Sequence, residues 1–215
     1  MVAILIPLYL FACGQVELND FSHEYISEYR QNLFLAKSNT FTASFTSGQR
    51  EKNYYMDGEK TDLVDFGVLT VVFSTNFDGA LPPIFELIVD GTKIANRLEK
   101  NPYDCTFVYD ICRRVDDDIE IILFIPELEE SVKLVCISKD WNTDWQEAVT
   151  IFSQKYNSKI KNNTHGGKFK GEIFIKTVSN DRNFDNIYWF VMCVTKNGDV
   201  FSCLIDPTSK MILQS

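Results

Sequence analysis

The sequence predicts an α+β fold built from two helix-then-antiparallel-sheet units. Three observations predict it. A helically spaced apolar stripe begins near residue 20, and a second begins near residue 143. Each is followed by short alternating segments separated by turn residues. Helices that precede runs of strands, rather than alternating with them, segregate into a layer over which an antiparallel sheet curls.

The first unit opens with a helix expected over 20–37. Asp20 is placed to cap it, Glu24 lies in its first turn, and Phe21, Tyr25, Ile26, Tyr29 and Leu33 share one face. Strands are then expected over Thr40–Thr46, Phe66–Ser74, Ile84–Val89, Lys93–Ala95, Cys105–Ile111, Ile119–Ile125 and Val132–Ser138. Asp90-Gly91 is a hairpin-turn signal between two of these strands. The polar stretch Gly48 to Asp62 is expected to be a mobile loop.

The second unit opens with Thr143-Asp144-Trp145-Gln146, a capping-box pattern with Thr143 as the cap. Trp145, Ala148, Val149, Phe152 and Tyr156 then fall on one helical face over 143–157. Strands are expected over Phe169–Val178, Ile187–Thr195, Val200–Ile205 and Met211–Leu213, with Asn197-Gly198 as a two-residue turn. Phe169, Gly171, Ile173 and Ile175 alternate with Lys168, Lys170, Glu172 and Lys176, which predicts a sheet with one wet face. The order of elements resembles the cystatin-like arrangement that NTF2-like domains share. The resemblance lies in element order alone and implies a curved sheet packed on a helix. The two units divide at 15–139 and 140–215, and one sheet shared by both helices is the alternative.

Residues 1–14 are read as a signal peptide. Ala3 to Ala12 is apolar apart from Pro7 and is too short to span a bilayer, which takes about 20 residues. Ala12 and Gly14 supply small residues for cleavage before Gln15. Leu10-Phe11-Ala12-Cys13 also resembles the lipobox of bacterial lipoproteins, which implies a lipid anchor at Cys13. Phe11 and the absence of a basic start depart from that pattern. A buried N-terminal strand is the third reading. No transmembrane segment is expected.

Export would make the six cysteines (Cys13, Cys105, Cys112, Cys136, Cys193 and Cys203) candidates for disulfides, and processing leaves an odd number. Cys105 and Cys112 at the ends of one strand would lie roughly 23 Å apart, beyond bridging distance. With a two-residue turn at Asn197-Gly198, Cys193 faces Ser202, so Cys193 and Cys203 point to opposite faces. Bridges between distant segments are therefore expected, or else the sulfurs are small core hydrophobes. Asn162-Asn163-Thr164 is a glycosylation sequon with Asn162 as acceptor.

The chemistry is defined mostly by exclusion. A net charge of -9 and a pI of 4.8, without a long basic run, argue against a nucleic-acid partner. His23 and His165 are the only histidines, so H-E-x-x-H zinc sites are excluded. G-x-S-x-G, the phosphate-binding P-loop, G-x-G-x-x-G and C-x-x-C are all missing from the sequence. No catalytic residue, cofactor or metal ligand is therefore assigned. The cluster at Asp116-Asp117-Asp118 has Ile121 where a calcium loop needs glycine, and Asp181–Asn186 has Asn186 at that place and Met192 for the terminal glutamate, so both read as polar turns.

The reading of function that remains is a secreted, non-catalytic binding protein. Its candidate contacts are Tyr54, Tyr55 and Trp141, aromatics on polar segments that can anchor a protein or small ligand. A small-pocket enzyme is the rival, using a convergent pair drawn from Asp65, Asp78, Glu86, Asp90, Asp104 and Asp110. A surface lipoprotein anchored through Cys13 is the third possibility.

Overall fold

A computed structural model of the chain describes residues 24–53, 55–75, 81–103, 106–179 and 184–214. It corrects the predicted class. Strand accounts for 53% of the chain and helix for 13%, in one large, nearly closed antiparallel barrel-like sheet rather than two helix-then-sheet units. The cystatin-like order falls with the first helix.

The described strands before the helices are β1 (Ile26–Lys37), β2 (Phe41–Glu51), β3 (Leu63–Phe73), β4 (Ile84–Val89), β5 (Thr92–Arg97), β6 (Glu99–Lys100), β7 (Phe107–Ile111), β8 (Ile121–Ile125) and β9 (Glu130–Cys136). Two helices follow, α1 (Trp145–Lys155) and α2 (Asn157–Asn162). The chain closes with β10 (Thr164–His165), β11 (Lys168–Phe169), β12 (Gly171–Ser179), β13 (Ile187–Thr195), β14 (Val200–Ile205) and β15 (Ile212–Gln214).

Pairing runs β1-β2-β3-β7-β6 in one direction and β1-β9-β8-β4-β5 in the other. Only Leu98 separates β5 from β6, so the two arms meet there and the ring nearly closes. Its interior is filled by side chains, among them Phe34, Phe41, Phe45, Leu69, Phe85, Leu87, Ile121 and Leu123. A ring of this size is just wide enough for such packing.

β1 belongs to two neighbourhoods. Its last residues pair with β9, Phe34 opposite Cys136 and Leu35 opposite Val135. Its first residues instead run parallel to β12, Ile26 opposite Ile173 and Tyr29 opposite Ile175. From β12 the sheet continues through β13 and β14 to β15. Here α1 covers a second apolar core of Ile26, Tyr29, Trp145, Val149, Phe152, Ile173, Trp189 and Cys193.

The same strand explains why a helix was expected over 20–37; residues 20–23 lie outside the described part. The ladders of β1 slip between Ile26 and Glu28 against β12, and between Arg30 and Asn32 against β2. Each irregularity adds one residue to the strand's two-residue alternation. Ile26 and Tyr29 therefore enter the same core three positions apart, which is helical spacing produced by an irregular strand.

α1 starts two residues later than expected and its cap is Asp144, whose side chain accepts the Glu147 amide at 2.7 Å. Thr143 is buried, with its carbonyl taken by the Trp189 indole N–H at 2.9 Å. The predicted face is correct: Trp145, Ala148, Val149, Phe152 and Tyr156 are all buried.

The β13–β14 hairpin corrects the cysteine geometry. Thr195 pairs with Asp199 around a three-residue loop, with Gly198 at φ +83 closing the turn, so the register moves by one. Cys193 faces Phe201 and Cys203 faces Val191. Both sulfurs therefore enter the core beneath α1, on one face rather than two. The expected disulfides are not formed among the described residues. Cys112, Cys136, Cys193 and Cys203 are free thiols, the last three buried, whereas Cys13 and Cys105 lie outside the described residues.

Candidate functional site

The predicted contact residues do not form one surface. Tyr54 is outside the described residues. Tyr55 is 67% exposed, beside Met56 at 57%, in the loop 52–62 between β2 and β3. Trp141 is half-buried and packs edge-on against Trp189, with ring centroids 5.2 Å apart. It lines a groove with Ile187 and Tyr188 at the start of β13, whereas the 52–62 loop touches Thr195 and Lys196 at its end. The length of β13 separates the two places by roughly 26 Å. Asn162 is exposed at the end of α2. Secretion and glycosylation rest on the sequence alone.

The carboxylates expected to converge do not. Asp65 accepts from Gln49, Asp110 pairs with Arg50, Glu86 with Lys93 and Asp90 with Arg113. Asp78 and Asp104 are outside the described residues. Asp116, Asp117 and Asp118 are exposed in the turn before β8.

Two other carboxylates converge instead. Glu51 ends β2, Ser27 sits at the first irregularity of β1, and Glu172 lies at the start of β12, so three adjacent strands bring them together. Ser27 Oγ donates to Glu51 Oε1 at 3.0 Å, and its hydroxyl also helps to hold the Glu172 carboxyl pKa down. Both glutamates grip the loop. Thr61 N–H donates to Glu51 Oε1 at 2.5 Å, and Gly58 N–H donates to Glu172 Oε1 at 2.7 Å. Lys52 N–H closes the base of the loop on the Asp62 carbonyl at 3.0 Å. Lys196 pairs with Glu59 from outside.

Gly58 fits this clamp because its φ is +81 and its α-carbon lies against the β13 end. A β-carbon there would meet Lys196 N at 2.6 Å. Each glutamate also keeps an unsatisfied atom: Glu51 Oε2 and Glu172 Oε2 are buried without a hydrogen-bond partner. Burial pushes the Glu172 carboxyl above the usual glutamate range. The Gly58 amide and the Ser27 hydroxyl pull it down, and Glu51 and Asp57 push it further up. Burial lowers the Lys60 ammonium, while Glu51 and Glu24 raise it.

A third buried carboxylate has a different environment. Glu28 is held by Arg30 Nε at 2.9 Å and Lys176 Nζ at 3.1 Å. Arg30 and Arg50 lie over the Phe66 ring, 5.7 and 4.8 Å from its centroid. This charge is compensated from two sides, as a buried ion requires.

The alternation of β12 predicts Glu172 on the wet face of its strand. Phe174, in the same alternation, was the signal against that assignment, and both residues are fully buried. The loop that covers Glu172 comes from the other end of the chain, so no local pattern records it. Neither Glu51 nor Glu172 lines the clefts at Arg30 and Ser44, at Trp141 and Asp206, or at Lys159 and Asn162. No family model, curated protein or solved structure matches the chain.

Proposed function

We propose that the chain is an exported binding protein that presents Tyr55 and Met56 to a protein partner on a clamped loop. One observation carries the reading. Two large apolar side chains project into solvent from a loop whose backbone is fixed at Gly58 and Thr61 by buried glutamates. Apolar anchors on a loop already ordered bind without a large ordering cost. Adjacent Tyr and Met suit an apolar recess on a protein surface. The export half of the reading rests on the segment before Gln15, and cleavage there is tested by the intact mass of the natural product. A diacylglycerol adduct on Cys13 would place the protein on a membrane instead.

The enzyme reading needs convergent carboxylates that a substrate can reach. Glu51 and Glu172 converge but lie beneath the loop, at 1% and 0% exposure. The binding reading is tested with a photo-crosslinking amino acid at position 55, and at exposed position 150 on α1 as control. Incubated with the fluid or extract in which the protein occurs, position 55 should give one discrete adduct that Met56→Ser weakens. Equal labelling from both positions would end the proposal.

A further inference from the structure

We propose that the loop segment 55–62 is latched by a proton shared along Glu172, Ser27 and Glu51, and that the latch loosens when this proton leaves. The inference concerns the loop used by the proposed function, and rests on that function only for its effect on binding.

Two ionised carboxylates would have too few donors here. Ser27 has one hydroxyl hydrogen, which goes to Glu51 Oε1. The Gly58 and Thr61 amides each serve an Oε1 atom, which leaves both Oε2 atoms bare. One proton on Glu172 reduces the deficit, since the bare Glu172 oxygen then carries a donor of its own. Glu172 becomes a donor to the Ser27 oxygen, Ser27 keeps donating to Glu51, and one of the two buried charges disappears. On release, the proton passes from Glu172 to water and leaves a carboxylate.

The groups packed around Glu172 favour that state. Glu51 on β2 and Asp57 in the loop both repel its ionised form. In the loop, Glu59 is engaged with Lys196 from the β13–β14 turn. Glu28 on β1 is held by Arg30 and Lys176. Cys193 on β13 stays a neutral thiol, its pKa pushed up to about 12 by burial.

The sign follows from linkage. The clamped Glu172 holds its proton more tightly than it would in water. Latching is therefore fully present below the ordinary glutamate value and is lost as pH rises through the higher, clamped value. If Tyr55 and Met56 bind a partner, that partner is bound more tightly in acid.

The test is amide hydrogen exchange on the full chain, expressed as protection factors so that intrinsic exchange chemistry is removed. From about pH 4 to about pH 9, protection at Gly58 and Thr61 should fall about tenfold or more. The Leu87 amide in the barrel should hold steady. Glu172→Gln, neutral at every pH, should keep Gly58 and Thr61 protected throughout. A flat wild-type profile overturns the proposal, as does a Gln variant that follows the wild-type fall. Should the variant not fold, carbon-detected titration of wild-type Glu172 decides, and ionisation in the ordinary glutamate range overturns it. No partner is needed, so failure of the crosslinking experiment would leave this result standing.

Discussion

Tyr29 and Trp145 stack with ring centroids 4.4 Å apart and planes 23° from parallel. The contact joins the strand shared by both cores to the first residue of α1. Tyr29 OH continues outward to Gln49 Oε1 at 2.9 Å. The helix is thereby fastened to the β1–β2 ladder as well as to the β12–β14 extension beneath it.

Trp145→Ala, Val149→Ala and Phe152→Ala should each destabilise the protein by roughly 2–5 kcal/mol, because each empties a buried site. Thr150→Ala, at an exposed position of the same helix, should change stability by less than about 0.5 kcal/mol. Urea unfolding of the four variants checks this. Equal small effects would mean that α1 does not cover the core.

Gly58→Ala should free the loop while Gly198→Ala leaves the fold intact. Both glycines have positive φ, but a β-carbon at Gly198 meets nothing within 4 Å, whereas at Gly58 it meets backbone. The Gly198 change costs about 1–2 kcal/mol of left-handed strain. At Gly58, strain and collision add, so limited proteolysis should cut within 52–62 in that variant first. Indistinguishable cleavage of both variants would contradict the clamp.

Thiol labelling should separate the cysteines by burial. In the folded protein Cys112 should react within minutes. Cys136, Cys193 and Cys203 should react only after denaturation, read by peptide mapping after alkylation. Prompt labelling of Cys193 or Cys203 would mean that the core under α1 opens readily.

Stability should decline in alkali. Burial pushes Cys193 up to about 12, with Glu172 adding to the effect. Burial pushes Cys203 up to about 11, with Lys155 opposing. Both folded values exceed the ordinary thiol value, so the unfolded chain releases these protons first. The contribution is fully present below about pH 9 and is lost as pH rises toward the folded values. Urea midpoints across that window should fall less steeply for Cys193→Ala than for wild type. An unchanged slope would contradict the assignment.

How much could be read from the sequence differs from element to element. β4, β13 and β14 have the boundaries their alternation predicts, and the buried face of α1 follows from its periodicity. These patterns are local, so local reasoning finds them. β1 misleads because its two irregularities give a strand helical spacing. The Asn197-Gly198 turn was recognised, but one extra loop residue reversed the facing of Cys203 relative to Cys193. The clamp was illegible because Glu172 on β12 meets Ser27 and Glu51 of the β1–β2 pair only when strands more than 100 residues apart align. Tyr55 alone was visible beforehand, as an aromatic in a polar stretch.

The double membership of β1 also sets an order of events during synthesis. Tyr29 finds its β2 partner Gln49 within a short stretch, but its β12 partner is Ile175, 146 residues later. At roughly 5–20 residues per second, the ribosome supplies that partner about 7–30 s after β1 emerges. Throughout that interval the barrel strands through Cys136 can pair, while the Ile26–Tyr29 edge has open hydrogen-bonding groups and no α1 to cover it. A nascent chain halted at Lys139 would expose this edge to its neighbours on the same messenger, where it could recruit a second copy in place of β12.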